Sequence, residues 1–204
     1  MTFAAFLAAA GLHFIAAATP GPAVLMAART GVTEGLKTGV FLSIGLGLGA
    51  VVWASAALFG LAVLFQTAPA LLWGFKIAGG LFLCWIALQM WLHADEPLIT
   101  EGSQRAPRSP LSALRLGVTT QLANPKPAVF FGAVFVGTVP QGTSSWVILA
   151  LLVVVFLNEL FCNVVVARLF SFERARATYI RMKSRIDRLF GTLIAALGIK
   201  IAAT

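Results

Sequence analysis

Long apolar runs alternate with short polar links along the whole chain. A membrane-spanning helix needs roughly 20 mostly apolar residues to cross the hydrocarbon core of a bilayer. The pattern therefore predicts an all-α polytopic membrane protein with six spans, at about residues 3–28, 39–65, 71–92, 116–139, 146–170 and 189–203. The last run is short for a crossing, so we expect its helix to begin earlier, near Ile186.

Residues 95–114 form the one long polar link, and they divide a single transmembrane domain into two halves of three spans, 1–94 and 115–204. The first, third and fifth links carry Arg and Lys, whereas the second and fourth carry none. Basic links stay in the cytoplasm, which predicts a cytoplasmic 95–114 linker and both termini outside. Because each half has an odd number of spans, the halves are predicted to be inverted three-helix repeats.

Two proline motifs interrupt the first and fourth spans and fall in step when superposed: Thr19, Pro20, Gly21 and Pro22, and Asn124, Pro125, Lys126 and Pro127. Proline lacks an N–H and clashes with the preceding turn, so each motif breaks its helix. Such a break is tolerated in a membrane only where protein buries it or where it lines a polar cavity. Paired breaks point to a transporter's substrate site, which we place at these eight residues.

The helix that restarts after each break offers free N–H groups and the positive end of its dipole to an anion. Thr19 and Asn124 are predicted to cap these helix ends or to contact the ligand. Lys126 can either hold a substrate carboxylate or neutralise Glu159. By residue counting, both breaks lie nearer the cytoplasmic ends of their spans, although ideal inversion would place them at mirrored depths.

Glu159 lies within the fifth span, between Asn158 and Asn163. A carboxylate at that depth is costly unless it is paired or faces water, and such residues mark ion, proton or substrate pathways. We interpret Glu159 as a proton or cation site, or else as a structural partner for Lys126 or for freed carbonyls. His13 precedes Thr19 by six residues, so it either approaches the same cavity and joins the proton coupling or serves in packing.

Composition agrees with the span pattern, since 59% of the residues are hydrophobic and 11% are charged, with a mean hydropathy of +0.93. The net charge of +8 lies in the links, where it indicates topology and not nucleic-acid binding. Gly45 and Gly49 form a small-xxx-small pair that favours close helix packing. No nucleophile with a base, metal-ligand cluster or phosphate loop is present in the sequence, so we predict no enzyme, no metal and no cofactor.

The chain resembles the lysine exporter superfamily, which includes the homoserine and threonine exporters. The resemblance covers the whole sequence and rests mainly on the two proline motifs. Further residues that carry it are Gly45, Gly49, Lys76, Gly79, Gly80, Phe130, Phe131, Arg188, Gly191 and Gly198. The chain departs from the family at Ala23, where Asn is common, at Ala50, where an acid is common, and at Pro127, where Ala is usual. These departures imply a substrate less polar than threonine or lysine.

The resemblance implies a secondary exporter of an amino acid or a similar zwitterion, driven by protons across the bacterial inner membrane. Its expected partners are that small molecule, protons and the lipid bilayer, and a homo-oligomer is left open. One alternative is a passive channel for small solutes or ions. Another is a membrane thiol-redox carrier, which would need cysteines beside the breaks, whereas Cys84 and Cys162 lie inside separate apolar runs.

Overall fold

The computed structural model describes residues 1–61, 69–96, 106–135, 138–140 and 142–203. Within these ranges the chain forms α-helices and two π-helical segments, Ala56–Leu61 and Phe131–Phe135. The α-helices are α1 (Phe3–Ala18), α2 (Pro22–Thr33), α3 (Leu36–Ser55), α4 (Pro69–Leu92), α5 (Pro110–Leu122), α6 (Pro125–Phe130), α7 (Ser145–Phe170) and α8 (Glu173–Ala203). The described residues contain no strand, so the all-α class is confirmed.

Two described helical stretches are long and apolar enough to cross a membrane, Leu36–Gly60 and Ser145–Phe170. The pair Phe3–Ala18 and Pro22–Thr33 passes the same test together and is bent by 53° at its break. The described residues thus provide two continuous candidate spans and one broken span, judged by length and composition.

Two helices begin earlier than the hydrophobic pattern predicts. The sixth span belongs to α8, which starts at Glu173 and has 31 residues, so the basic stretch before residue 189 is helical and not a link. Within this stretch Lys183 and Asp187 lie one turn apart and pair at 2.7 Å, so two of its charged residues are buried together in α8. Helix α5 begins at Pro110 with Ser109 as its N-cap, inside the predicted linker. The described part does not include residues 97–105 of that linker, 62–65 at the end of the predicted second span or 66–68 of the second link. It also excludes the side chains of Lys76 and Pro125.

Helix α3 occupies the centre and packs against α5 and α7, while α1 and α2 pack on α7 and α4 pairs with α8. Glycines allow the closest of these approaches. A Cβ atom added at Gly45 would meet the backbone of Leu114 in α5, and one at Gly49 would lie 2.7 Å from the Cβ of Gln121. Gly117 of α5 is the reciprocal contact, since its added Cβ would meet the Leu42 carbonyl. Backbones cross here at a distance that only glycine permits.

We expect Gly117→Ala to destabilise the protein, because the methyl group has no room between two backbones and overpacking costs about 1–3 kcal/mol. Gly11→Ala is a matched control within α1, since a Cβ there meets nothing within 4 Å. Thermal unfolding of both variants in detergent should show a lowered midpoint for Gly117→Ala alone. Equal midpoints for the two variants would contradict the close α3–α5 crossing.

Polar contacts tie the two halves together near the ends of the helices. The buried Glu34 carboxylate, just after α2, accepts from the Arg108 backbone N–H at 3.0 Å and from its guanidinium at 3.1 Å. After α4, Asp95 accepts from Ser184 Oγ at 2.6 Å and from Arg188 at 2.8 Å. The Ser184 hydrogen bond, followed by the Arg188 charge, lowers the pKa of the exposed Asp95 carboxyl. These contacts join the first half of the chain to the linker and to α8.

Candidate functional site

The first proline break frees backbone carbonyls, and Lys126 from the second break satisfies them. Pro20 cannot donate to the Ala16 carbonyl, and the helix stops before Thr19 O finds an intrahelical donor. The Lys126 ammonium donates to both oxygens, at 2.9 Å each. A Cβ added at Gly21 would lie 3.3 Å from this nitrogen. The two breaks therefore lie side by side, although counting residues along their spans did not place them at mirrored depths.

The second break is satisfied in a parallel way. Pro125 cannot donate to the Gln121 carbonyl one turn back, and the Trp53 indole Nε1 of α3 donates to that oxygen at 3.2 Å. Asn124 caps α6, because its Oδ1 accepts from the Lys126 backbone N–H at 3.1 Å. At each break a side chain from another helix thus replaces the missing backbone donor.

Thr19 does not cap α2, which corrects one of our two capping predictions. Its hydroxyl donates backwards to Ile15 O at 2.7 Å, so it closes the end of α1. No side chain caps α2, which begins after Gly21 with extended backbone. The reason is local, because Pro20 and the extended Gly21 lie between Thr19 and the first turn of α2, whereas Asn124 directly precedes α6.

Glu159 reaches the same region from α7 and is 5% exposed. Asn163, one turn later, donates its Nδ2 to both the backbone oxygen and the carboxylate Oε2 of Glu159, at 2.9 Å each. The Gln121 side chain of α5 lies near the same carboxylate and interacts with it electrostatically. Helices α5 and α7 thereby supply amide groups that orient a buried carboxylate.

His13 of α1 faces Glu159, with 3.7 Å between Nε2 and Oε1. Its ring stacks on Phe131 at 5.2 Å between centroids, and its Nδ1 lies 3.3 Å from Asn158 Nδ2. An amide nitrogen can only donate, so Nδ1 accepts and the proton of a neutral His13 sits on Nε2. That proton points towards the Glu159 carboxylate. His13 therefore packs against an aromatic ring and also lies beside the polar cluster, as both the packing and the cavity interpretations require.

Lys126 and Glu159 do not form a direct ion pair, because no Lys126–Glu159 contact is among the pairs within 4.0 Å in the described part of the chain. Each is held by neutral groups instead, Lys126 by carbonyls and Glu159 by amides and His13. Three neighbouring buried atoms have no hydrogen-bond partner, namely Gln121 Oε1, Asn124 Nδ2 and Asn163 Oδ1. A buried amide without a partner is costly, so this cluster has unused capacity to bind a polar molecule.

Not every residue of the two motifs enters the polar cluster. Thr19, Asn124, Lys126 and Pro127 are buried, Pro20 and Gly21 are half-buried, and Pro22 is exposed. The residue that our sequence argument missed is Gln121. Gln121 lies one turn before the proline break of a predicted membrane span. A polar side chain at that position could have been recognised from the sequence as a candidate site residue.

The two cysteines are free and do not form a pair. Cys84 of α4 lies 3.8 Å from Ala195 O of α8, whereas Cys162 is buried in α7, one turn from Glu159. Cys162 is therefore closer to the cluster than its position in the sequence suggested. Within the described ranges no three His, Cys, Asp or Glu side chains converge to hold a metal ion.

Comparison with known proteins assigns the family. The LysE type translocator family model matches residues 14–204. The chain belongs to the LysE family. It is 35% identical over 202 residues to the threonine efflux protein of Escherichia coli K12, covering 96% of both chains. It is 27% identical over 195 residues to the leucine efflux protein of Enterobacter sp. 638, covering 93% of this chain and 89% of that protein. No solved structure matches it.

This LysE-family chain is thus a multi-pass membrane transporter and not an enzyme. The match begins at residue 14, so it includes both proline breaks, Lys126 and Glu159. The resemblance found from the two motifs is confirmed at the level of the family.

Proposed function

We propose that this protein exports an amino acid across the bacterial inner membrane in exchange for protons. The observation that carries the proposal is the buried cluster at the paired breaks, which holds a cation and a carboxylate that are not paired with each other. An amino acid carries both charges, so a zwitterion complements such a site without leaving a buried charge uncompensated. The motif residues Thr19 to Pro22 and Asn124 to Pro127 form its frame.

The relatives support the substrate class. The names threonine efflux protein and leucine efflux protein both describe neutral amino acids leaving the cell. Ala23 and Ala50 remove polar groups that are common in the family near the first break, and both side chains are buried. A neutral amino acid with an apolar side chain therefore fits this chain best.

Glu159 and His13 are the groups that we assign to proton coupling. The carboxylate is buried beside an imidazole and two amides, where it can take up a proton without leaving its hydrogen bonds. His13 Nε2 lies 3.7 Å from it, close enough to relay a proton with little movement. Buried carboxylates and histidines of this kind form proton relays in membrane transporters.

An inverted repeat gives this site a route to both sides of the membrane. Helix α3 packs on α5 while α7 packs on α1 and α2, and α3–α7 and α4–α8 are the other main pairs. These main pairs stay the same when the helices of the first half are exchanged for those of the second, whereas α2 also packs on α3 without a matching contact in the second half of the described chain. This pattern supports two inverted three-helix repeats that rock against each other around the breaks. The basic links, and not the packing, are the reason to propose both termini outside the cytoplasm.

The test is export from cells that carry the protein and are loaded with dipeptides as a source of excess amino acids. Mass spectrometry of the medium is expected to show one neutral amino acid leaving several-fold faster, and an uncoupler should abolish the difference. A Cys84→Ser, Cys162→Ser double variant should export normally, whereas a thiol-redox carrier would lose its activity. An unchanged profile with folded protein contradicts amino-acid export, and uncoupler-insensitive efflux indicates a passive channel.

A further inference from the structure

Three nearly fully buried amide side chains leave one atom each without a partner, and hydrogen bonds fix which atom it is in Asn163 and Asn124. Asn163 Nδ2 donates to two oxygens of Glu159, so its Oδ1 must be the free atom. Gln121 lies beside the same carboxylate, and its Oε1 is the atom without a partner. Asn124 Oδ1 accepts from Lys126 N–H, which leaves the Nδ2 donor free. Their side chains belong to residues that are 0%, 1% and 2% exposed, respectively.

Two of these free atoms are hydrogen-bond acceptors and the third is a donor. The acceptors Gln121 Oε1 and Asn163 Oδ1 belong to two side chains beside the Glu159 carboxylate, so this side of the cluster carries three groups that can accept. The free donor Asn124 Nδ2 belongs to the residue that caps the helix carrying Lys126. Lys126 uses two of its three ammonium hydrogens on Ala16 O and Thr19 O and has one left. A ligand that satisfies every free atom must offer donors at one end and acceptors at the other.

We infer that Gln121 and Asn163, together with Glu159, form the ammonium subsite of the exporter, and that Asn124 and Lys126 form its carboxylate subsite. A primary ammonium has three N–H donors, which match the three acceptor groups around Glu159. A carboxylate accepts from the remaining Lys126 hydrogen and from Asn124 Nδ2. This inference rests on the proposed function and assigns the polarity of the substrate in that site.

These subsites also explain how export of the amino acid is coupled to entry of a proton. The substrate ammonium and a proton neutralise the same carboxylate, so Glu159 holds one or the other. On the cytoplasmic side the arriving ammonium displaces the proton, which leaves to the cytoplasm. On the outer side the amino acid leaves and a proton from the medium takes its place. One proton enters for each zwitterion that leaves, so the cycle moves one positive charge inwards.

The test uses purified protein in liposomes and measures counterflow of labelled leucine and labelled threonine. Each is competed with itself and with its 2-hydroxy acid analogue, which keeps the carboxylate and replaces the ammonium. We expect the wild-type protein to prefer the amino acid over its hydroxy analogue by about tenfold or more, since a lost charge-assisted contact is worth that much. Gln121→Met and Asn163→Leu should weaken competition by the amino acid about tenfold and leave the hydroxy acid unchanged.

Gln89→Met is the matched control, because it removes an amide from α4 at a half-buried position and should keep the wild-type preference. If the wild-type protein transports neither amino acid, both the proposed function and the assigned subsites are wrong. If it transports one but accepts the hydroxy acid equally well, only the ammonium subsite is wrong. This comparison needs no variant, so a variant that fails to fold does not decide the outcome. An equal loss for both competitors in folded variants would also overturn the assignment, because it indicates a structural role.

Discussion

Lys126→Met is expected to lower amino-acid efflux by about tenfold or more at substrate concentrations below saturation. The variant keeps the aliphatic stem of the side chain and removes the ammonium that joins the two breaks. Thr19 O would then be a buried acceptor without its donor, a loss of about 1–3 kcal/mol. The substrate carboxylate would lose its charged partner as well. We therefore expect a lower unfolding midpoint together with the loss of transport.

Lys37→Met is the matched control, since Lys37 is exposed in the first turn of α3 and lies away from both breaks. It should transport at the wild-type rate and unfold at the wild-type temperature. Both variants are compared with the wild-type protein by measuring efflux from liposomes that contain equal amounts of inserted protein. Normal transport by Lys126→Met would show that the contact between the breaks is dispensable, and it would remove Lys126 from the proposed site.

Glu159→Gln is expected to stop uphill export while leaving exchange of amino acid for amino acid at high concentration. The amide matches the carboxylate in shape and keeps one acceptor oxygen for the substrate ammonium. The amide cannot bind and release a proton, so a pH gradient can no longer drive transport through this residue. We expect the rate driven by an imposed pH gradient to fall by about tenfold or more, and the remaining flux to be independent of that gradient.

Glu173→Gln, at the exposed start of α8, provides the matched change of charge and should keep gradient-driven export. Both proteins are compared in liposomes with and without a pH gradient, and by counterflow at equal pH. A Glu159→Gln protein that still concentrates its substrate in response to the gradient would contradict the coupling role. A variant that is inactive in counterflow while remaining folded would show that the carboxylate charge is essential for binding itself.

Local chemistry allowed the helix breaks to be predicted from the sequence. Pro20 and Pro125 lack the N–H that an α-helix requires, and this holds whatever surrounds them. Thr19 and Asn124 were both predicted to cap a helix end or to contact the ligand. Asn124 caps α6 because it directly precedes that helix. Thr19 has similar chemistry but is separated from α2 by Pro20 and the extended Gly21, and its hydroxyl donates back to Ile15 O. Capping depends on a backbone geometry that residue identity does not specify.

Gln121 shows why the candidate site was incomplete in the sequence. It lies thirty-eight positions before Glu159, so only the packing of α5 and α7 around α3 brings their side chains together. The basic stretch before residue 189 was predicted as a link because its charges suggested exposure. In the fold Lys183 of this stretch is buried instead, where it pairs with Asp187 and donates to the carbonyls of His93 and Ala94 beyond α4.

The sequence by itself determined the all-α class, the two proline breaks and the LysE family, because apolar runs and missing proline donors act locally. Only the tertiary structure decided which groups satisfy the breaks. Lys126 and Glu159 were the two obvious charges to pair, and the sequence allowed that pairing. The fold instead gives Lys126 the carbonyls of Ala16 and Thr19, and gives Glu159 the side chains of Asn163 and His13. The physical reason is that a buried charge takes the nearest complementary groups, and the helix packing sets which ones are nearest.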